Sequence, residues 1–408
     1  MNLKLNKRKK YKNPSKSKII QFLRDLISIP SYSGDEELIA QRILLEMKKI
    51  GFEEAYLDSL GNVIGRIGNF AGPKLLYDVP MDIYKISTSE KWHYNPYKGD
   101  IDGGFIYGCG AANSKASIAS MLYGIKELIE NQVELKGTLY FSATVMGQCC
   151  EGYAVSTICE HLKPDAVLLG KPTDLHISRG QRGKVKLEIV TQGKSHHASA
   201  PESGLNPIYL ICQAGLQLEQ YANELKYDPI LGNASLTVTN INTPNTAYSN
   251  LIPDQCKIHI DRRLILGENL DTVFSEIQSL LIKNQIKAKI SVVDFQNKTY
   301  TGQFCSKKMY FPTWLMPENH RLIRLMKDVL RENLDFQPKI ICWKCSSNGV
   351  ATRGEHGIPT LGFGPGEEHN CHKPDEKVSV VDVIHASQIY AKFATAFFDR
   401  IPDALKAQ

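Results

Sequence analysis

The 408-residue chain has no stretch approaching the ~18 consecutive apolar residues that a membrane-crossing helix needs, so no span is expected. Met1 to Lys18 carries eight Lys/Arg and no acid, but no apolar run of about 7 to 15 residues follows to make it an export signal. This basic arm, residues 1–18, is expected to be solvated and disordered; the other reading is a weak contact with nucleic acid or anionic lipid. A cytoplasmic location follows, with neither nucleic acid nor membrane as a main partner. Disulfide chemistry is also absent as a framework. Ten cysteines in a chain of this size are expected to be reduced thiols. Cys342-Trp-Lys-Cys345 has C-x-x-C spacing, but no second such pair completes a tetrahedral set, and coincidence is the expected reading. There is no internal repeat, and no low-complexity segment beyond the arm.

Hydrophobic residues at 42%, charged residues at 23% and 30 glycines describe a globular protein, and the length predicts two domains. Ile19, Ile20, Phe22, Leu23, Leu26 and Ile27 recur at helical spacing between Ser17 and Pro30, and a Ser/Asp-rich turn at Ser31 opens a second helix. Short apolar runs at Lys74 to Tyr77 and Gly137 to Val145 read as strands, with a helix over 114–130 between them. This alternation predicts an α/β domain with a covered, mostly parallel sheet, and catalytic groups on loops at strand ends. After Gly183 the order becomes strand 185–191, helix 206–225, strands 234–241 and 255–264, and helix 269–286, as in a ferredoxin-like insertion. The expected division is therefore 19–183 with 294–408 as one domain and 184–293 as an inserted lid. A helix over 319–334 and Gly-rich loops over 349–366 complete the first domain.

Six blocks in order carry a resemblance: IPSYSGDE at Ile29, YGCGAANSK at Tyr107, KPTDLHISRGQRG at Lys171, GKSHHASAPESGLNPI at Gly193, DRR at Asp261 and IPTLGFGPGEEHNCHKPDE at Ile358. From about Ile19 to Phe398 the sequence resembles the zinc aminoacylase/carboxypeptidase family of acetylornithine deacetylase, succinyl-diaminopimelate desuccinylase and carboxypeptidase G. Within it, the likeness is strongest to the selenium-metabolism-linked hydrolases. The resemblance implies a phosphorylase/hydrolase-like α/β domain, a lid that also mediates dimerisation, and two zincs held by two His and three carboxylates, beside a general-base Glu.

Most of those positions are altered. The H-x-D motif falls on Pro80-Met81-Asp82, leaving only the orienting Asp82, and the bridging Asp falls on Asn113. The Glu-Glu pair falls on Gly147, at the general-base position, and Gln148, at a ligand position. The Glu of E-P-T becomes Lys171, and only His372 survives as a ligand. Two close dications need anionic oxygens and imidazoles to offset their charge, so no cofactor is expected. Lys171 reads as a protein-supplied cation in the vacated site, partly offset by Asp82; the alternative is that it points to solvent. Cys109, Cys149, Cys150 and Cys371 lie in or beside these loops and, with His372, raise the possibility of a replacement thiolate site.

The lid has not decayed in the same way. The resemblance implies that His197 reaches into the opposite subunit's site and that Asn250 and Arg263 hold a substrate carboxylate. Each residue also has a plain structural reading: a turn cap for Asn250, a strand-end charge for Arg263, and packing against Ser195 for His197. The chain is thus expected to be a metal-free, non-hydrolytic relative, acting as a homodimer or as the partner or regulatory subunit of an active homologue. The alternatives are a binding protein for an amino-acid-like carboxylate, with Lys171 contributing, and a hydrolase of N-acyl amino acids or peptides with replaced chemistry.

Overall fold

The computed structural model describes residues 17–86, 91–244 and 250–400; residues 1–16 of the basic arm lie outside this range. Apolar residues at helical spacing form Lys18–Ile27, whose six buried side chains are those the periodicity selects. Glu37–Ile50 follows and ends on Gly51, whose positive φ of 99° suits a glycine. The second helix packs on a nine-stranded sheet, and the first packs against Ala116–Glu130 in the same apolar core. Its order is Glu54–Leu57, Val63–Gly68, Thr138–Thr144, Lys74–Pro80, Ala166–Gly170, Thr360–Phe363, Ile177–Gln181 and Trp314–Leu315, with Ile340–Trp343 also pairing Ile177–Gln181.

The strands Thr138–Thr144, Lys74–Pro80, Ala166–Gly170 and Thr360–Phe363 are mutually parallel. Three of them are buried at every residue, as strands covered on both faces must be. Ala116–Glu130 and Val380–Arg400 help cover one face, and Tyr153–Leu162 helps cover the other. The carboxyl ends of the parallel strands deliver Pro80, the Gly147–Gln148 loop and Lys171 to one cleft, the usual ligand position in such sheets.

The second sheet has the order Ser235–Asn242, Gln255–Leu264, Gly183–Gln192 and Ala288–Val292, with Tyr310–Phe311 added beside Gly183–Gln192. Helices Pro207–Ala222 and Leu270–Lys283 cover it around a separate apolar core. Asn206 caps the first helix, accepting from the Ile208 N–H at 3.0 Å, and Asn269 with Thr272 forms a capping box on the second. Ser235–Asn242 is an edge strand exposed over most of its length.

Two local differences from expectation have physical causes. The helix predicted from residue 114 begins at Ala116, because Ala111–Lys115 forms a wide turn with non-helical backbone at Asn113 and Ser114. The Glu376 carboxylate holds that turn open by accepting the N–H groups of Ala112 and Asn113, each at 2.9 Å. A hairpin, Asp294–Lys298 with Phe304–Lys308, also precedes the helix Arg321–Asn333.

Candidate functional site

Asp82 follows the strand Lys74–Pro80 and is fully buried. Its Oδ2 accepts from the Ser33 hydroxyl at 2.6 Å and the Gln148 N–H at 2.8 Å, whereas Oδ1 is buried without a partner. Burial, with Glu36 nearby, pushes the Asp82 carboxyl up to about 7. Asp82 therefore does not offset Lys171 as anticipated. Lys171 is itself buried, 8% exposed, so the solvent-facing reading fails. Its Nζ donates to the Ser346 carbonyl and lies 5.8 Å from the centre of the Trp343 ring. The buried Glu151, which senses the charge of Lys171, is bound to Lys184 at 2.8 and 2.9 Å.

Pro80 and Gly147 have closed on each other. A β-carbon placed on Gly147 would stand 2.4 Å from Cβ of Pro80 and 3.1 Å from Oδ1 of Asp82, so the present backbone has no room for a side chain at the general-base position. The Gln148 amide turns back to the Asp82 carbonyl at 3.2 Å. Across the cleft, Asn113 Nδ2 donates to Nε2 of His372 at 3.0 Å, engaging a ring lone pair that a metal would need. Tyr84 packs edge-on against the His372 ring, with centroids 4.3 Å apart. Burial of the ring, and then the charge of Lys171, push His372 down to about 4, so its imidazole is neutral at physiological pH.

The four cysteines each face a separate environment. Among the described residues no group of three or more His, Cys, Asp or Glu side chains is placed to hold a metal ion. Cys109 faces the Tyr84 carbonyl, Cys149 the Met146 carbonyl and Cys371 the Glu367 carbonyl, while Cys150 is buried. Burial raises Cys109, Cys149 and Cys150 to about 12 and raises Cys371 as well, which leaves inert thiols. Cys342 and Cys345 are free.

In the lid, His197 is exposed and shares a 2.7 Å hydrogen bond with Ser199, not Ser195. It lies beside Asn250, because His197 bridges Leu251 and the Ala198 N–H donates to the Asn250 carbonyl at 2.8 Å. Arg263 stands apart on Gln255–Leu264, held by Asp261 through contacts of 2.6 and 3.1 Å, with its charge felt at Tyr84 and Cys345 on the α/β domain. The sequence reading missed Glu376, which is buried and pushed up to about 7 mainly by burial. It also missed Asn348, whose amide donates to Asp78 at 2.7 Å and Thr144 at 3.0 Å. Glu376 sat within a quoted block, but Ser346-Ser347-Asn348 carries no periodicity that would single it out.

A covered, mostly parallel central sheet, a second sheet with its own apolar core and a cleft at the strand carboxyl ends define a mixed α/β protein of the metallopeptidase type. The profile of "Peptidase family M20/M25/M40" matches residues 81–396, and the chain belongs to this family. It is 35% identical over 376 residues to the Escherichia coli K12 protein YgeY, covering 91% of this chain and 92% of that one. It is 25% identical over 392 residues to the succinyl-diaminopimelate desuccinylase of Hydrogenovibrio crunogenus, with 92% and 97% covered. In fold it resembles the M20 metallo-carboxypeptidase Sso-CP2 of Sulfolobus solfataricus, with a TM-score of 0.74 at 17% identity over 94% of this chain and all of that one. The residues present here do not fit two zincs: Pro80 and Gly147 offer no donor, Asn113 and Gln148 offer only neutral amides, and Lys171 offers an ammonium.

Proposed function

We propose that this chain is a non-hydrolytic member of the M20 family that works without resident zinc and serves as a binding or regulatory subunit, paired through its lid with a second copy or an active relative. The closure of Pro80 against Gly147 carries this reading, since it removes the space for a general base as well as the base itself. Without a positioned base about 10² to 10⁴ in rate is lost, and a lone neutral His372 does not replace a set of three or four protein ligands. The exposed edge Ser235–Asn242, which presents Val238 and Ile241, favours pairing through the lid. Arg263, whose charge reaches Tyr84 and Cys345, favours a second reading, in which the chain binds an amino-acid-like carboxylate for itself. Replaced nucleophilic chemistry finds little support in thiols raised by burial.

Metal analysis of protein purified without chelator, with co-purification from the native source, tests the proposal. Substoichiometric zinc and no turnover of N-acyl amino acids or dipeptides are expected. Stoichiometric zinc, or zinc-dependent turnover lost in His372→Ala, would overturn it. If the chain completes a partner's site, His197→Ala is expected to leave assembly intact and lower the partner's turnover by roughly 10² to 10³.

A further inference from the structure

Lys171 is over nine-tenths buried, and none of the ion pairs among the described residues involves it. One of its three N–H groups is spent on the Ser346 carbonyl, which leaves two for the pocket it lines. A buried ammonium outside any ion pair is costly, and an interior normally supplies a contact partner or takes one from solution. The pocket extends between Pro80, Asn113, Gln148 and Asn348 and is small, with about 20 Å³ open to the centre of a water-sized sphere, so it admits the head of a small anion and not a whole ligand.

The other polar groups around this pocket divide in a telling way. Its one carboxylate, Asp78, is occupied on both oxygens, by Ser142 at 2.7 Å and Asn348 at 2.7 Å. Ser346 Oγ accepts from Gln181 Nε2 at 3.1 Å, so its own proton stays available, and the Gln148 amide uses one N–H on Asp82 and keeps the other. What remains unspent is therefore a set of donors around the Lys171 Nζ, beside an Asp78 carboxylate whose oxygens are already taken. Deepening the non-hydrolytic reading on which it rests, we propose that the position of the family's metals is here an oxyanion site, in which Lys171, Ser346 and Gln148 receive the carboxylate or phosphate group of a small ligand. An ammonium with two free donors suits either group as a point charge.

Calorimetric titration and thermal melting in anion-poor buffer test this, with inorganic phosphate in one arm and N-acetylglycine in the other. At least one probe is expected to bind once per chain and raise the melting temperature. A response to phosphate alone assigns a phosphate group, and a response to N-acetylglycine alone assigns a carboxylate. Lys171→Met is expected to weaken that binding at least tenfold, yet to melt no lower than wild type without anion, because it replaces a buried ammonium that makes no ion pair with an apolar stem of similar size. Lys171→Arg should keep part of the affinity. No response to either probe, an undiminished response in Lys171→Met, or a Lys171→Met protein that melts well below wild type without anion would overturn the site. Hydrolysis of N-acetylglycine in the same samples would instead sink the non-hydrolytic reading and leave the anion site standing.

Discussion

A β-carbon on Gly147 meets Cβ of Pro80 at 2.4 Å, which makes these two positions energetically one, although 67 residues separate them in the chain (147 − 80). Gly147→Glu should therefore be destabilising by roughly 1–3 kcal/mol through overpacking. The same change made with Pro80→Gly should cost less than the sum of the single changes, with a coupling of at least about 0.5 kcal/mol in a denaturant cycle. Additive effects would show that the two backbones are free to separate. The same closure explains why a single reversion such as Lys171→Glu should not recover zinc: the ammonium would go, but Pro80, Asn113, Gly147 and Gln148 would stay.

Among the elements, a buried ion pair ties the central sheet's side of the molecule to the second sheet. Glu151 lies in the loop before Tyr153–Leu162, and Lys184 lies at the start of Gly183–Gln192; both side chains are 7% exposed, and the Lys184 ammonium also lies 4.5 Å from the centre of the Phe311 ring. Lys184 has no water to turn to if Glu151 is removed, and the reverse holds as well. Glu151→Leu or Lys184→Met alone should thus cost about 3–5 kcal/mol, while the double variant should recover much of that loss, since an apolar pair leaves no stranded charge. Chemical denaturation followed by tryptophan fluorescence reads the difference. A double variant no better than the worse single one would mean that the pair is needed for geometry as well as charge balance.

Across the whole molecule, carboxylates stay buried where the family's metals would be, and this shapes the pH dependence of stability. Asp82 is pushed up to about 7 in the folded state, so its contribution is fully present below its ordinary value near 4 and is lost as pH rises toward 7. His372, pushed down to about 4, acts in the opposite sense as pH falls from its ordinary 6.5, so the net curve alone does not isolate Asp82. The contrast with Asp82→Asn does: the variant should lose the part of the decline between pH 4 and 7 that wild type shows, read from denaturant midpoints at each pH. Parallel curves for the two proteins would mean that Asp82 does not titrate there.

The elements and their layers were legible from residue order alone, because a 3.6-residue or two-residue apolar period is a local property that survives into the fold, as in Lys18–Ile27 and Gln255–Leu264. Residue order also determined which side chains stand at the former ligand positions, since that needs only their identities. Tertiary structure decided what those side chains do. Lys171 meets Ser346, Asn113 meets His372 and Glu376 props open the turn at Asn113 across separations of 175, 259 and 263 residues, and no local pattern encodes such pairings. The expected Lys171–Asp82 balance failed for the same reason. Both residues stand at family site positions, but the end of Lys74–Pro80 points Asp82 toward Ser33 and Gln148, while the end of Ala166–Gly170 points Lys171 toward Ser346. Adjacency in a motif gives no direction; strand ends in a folded sheet do.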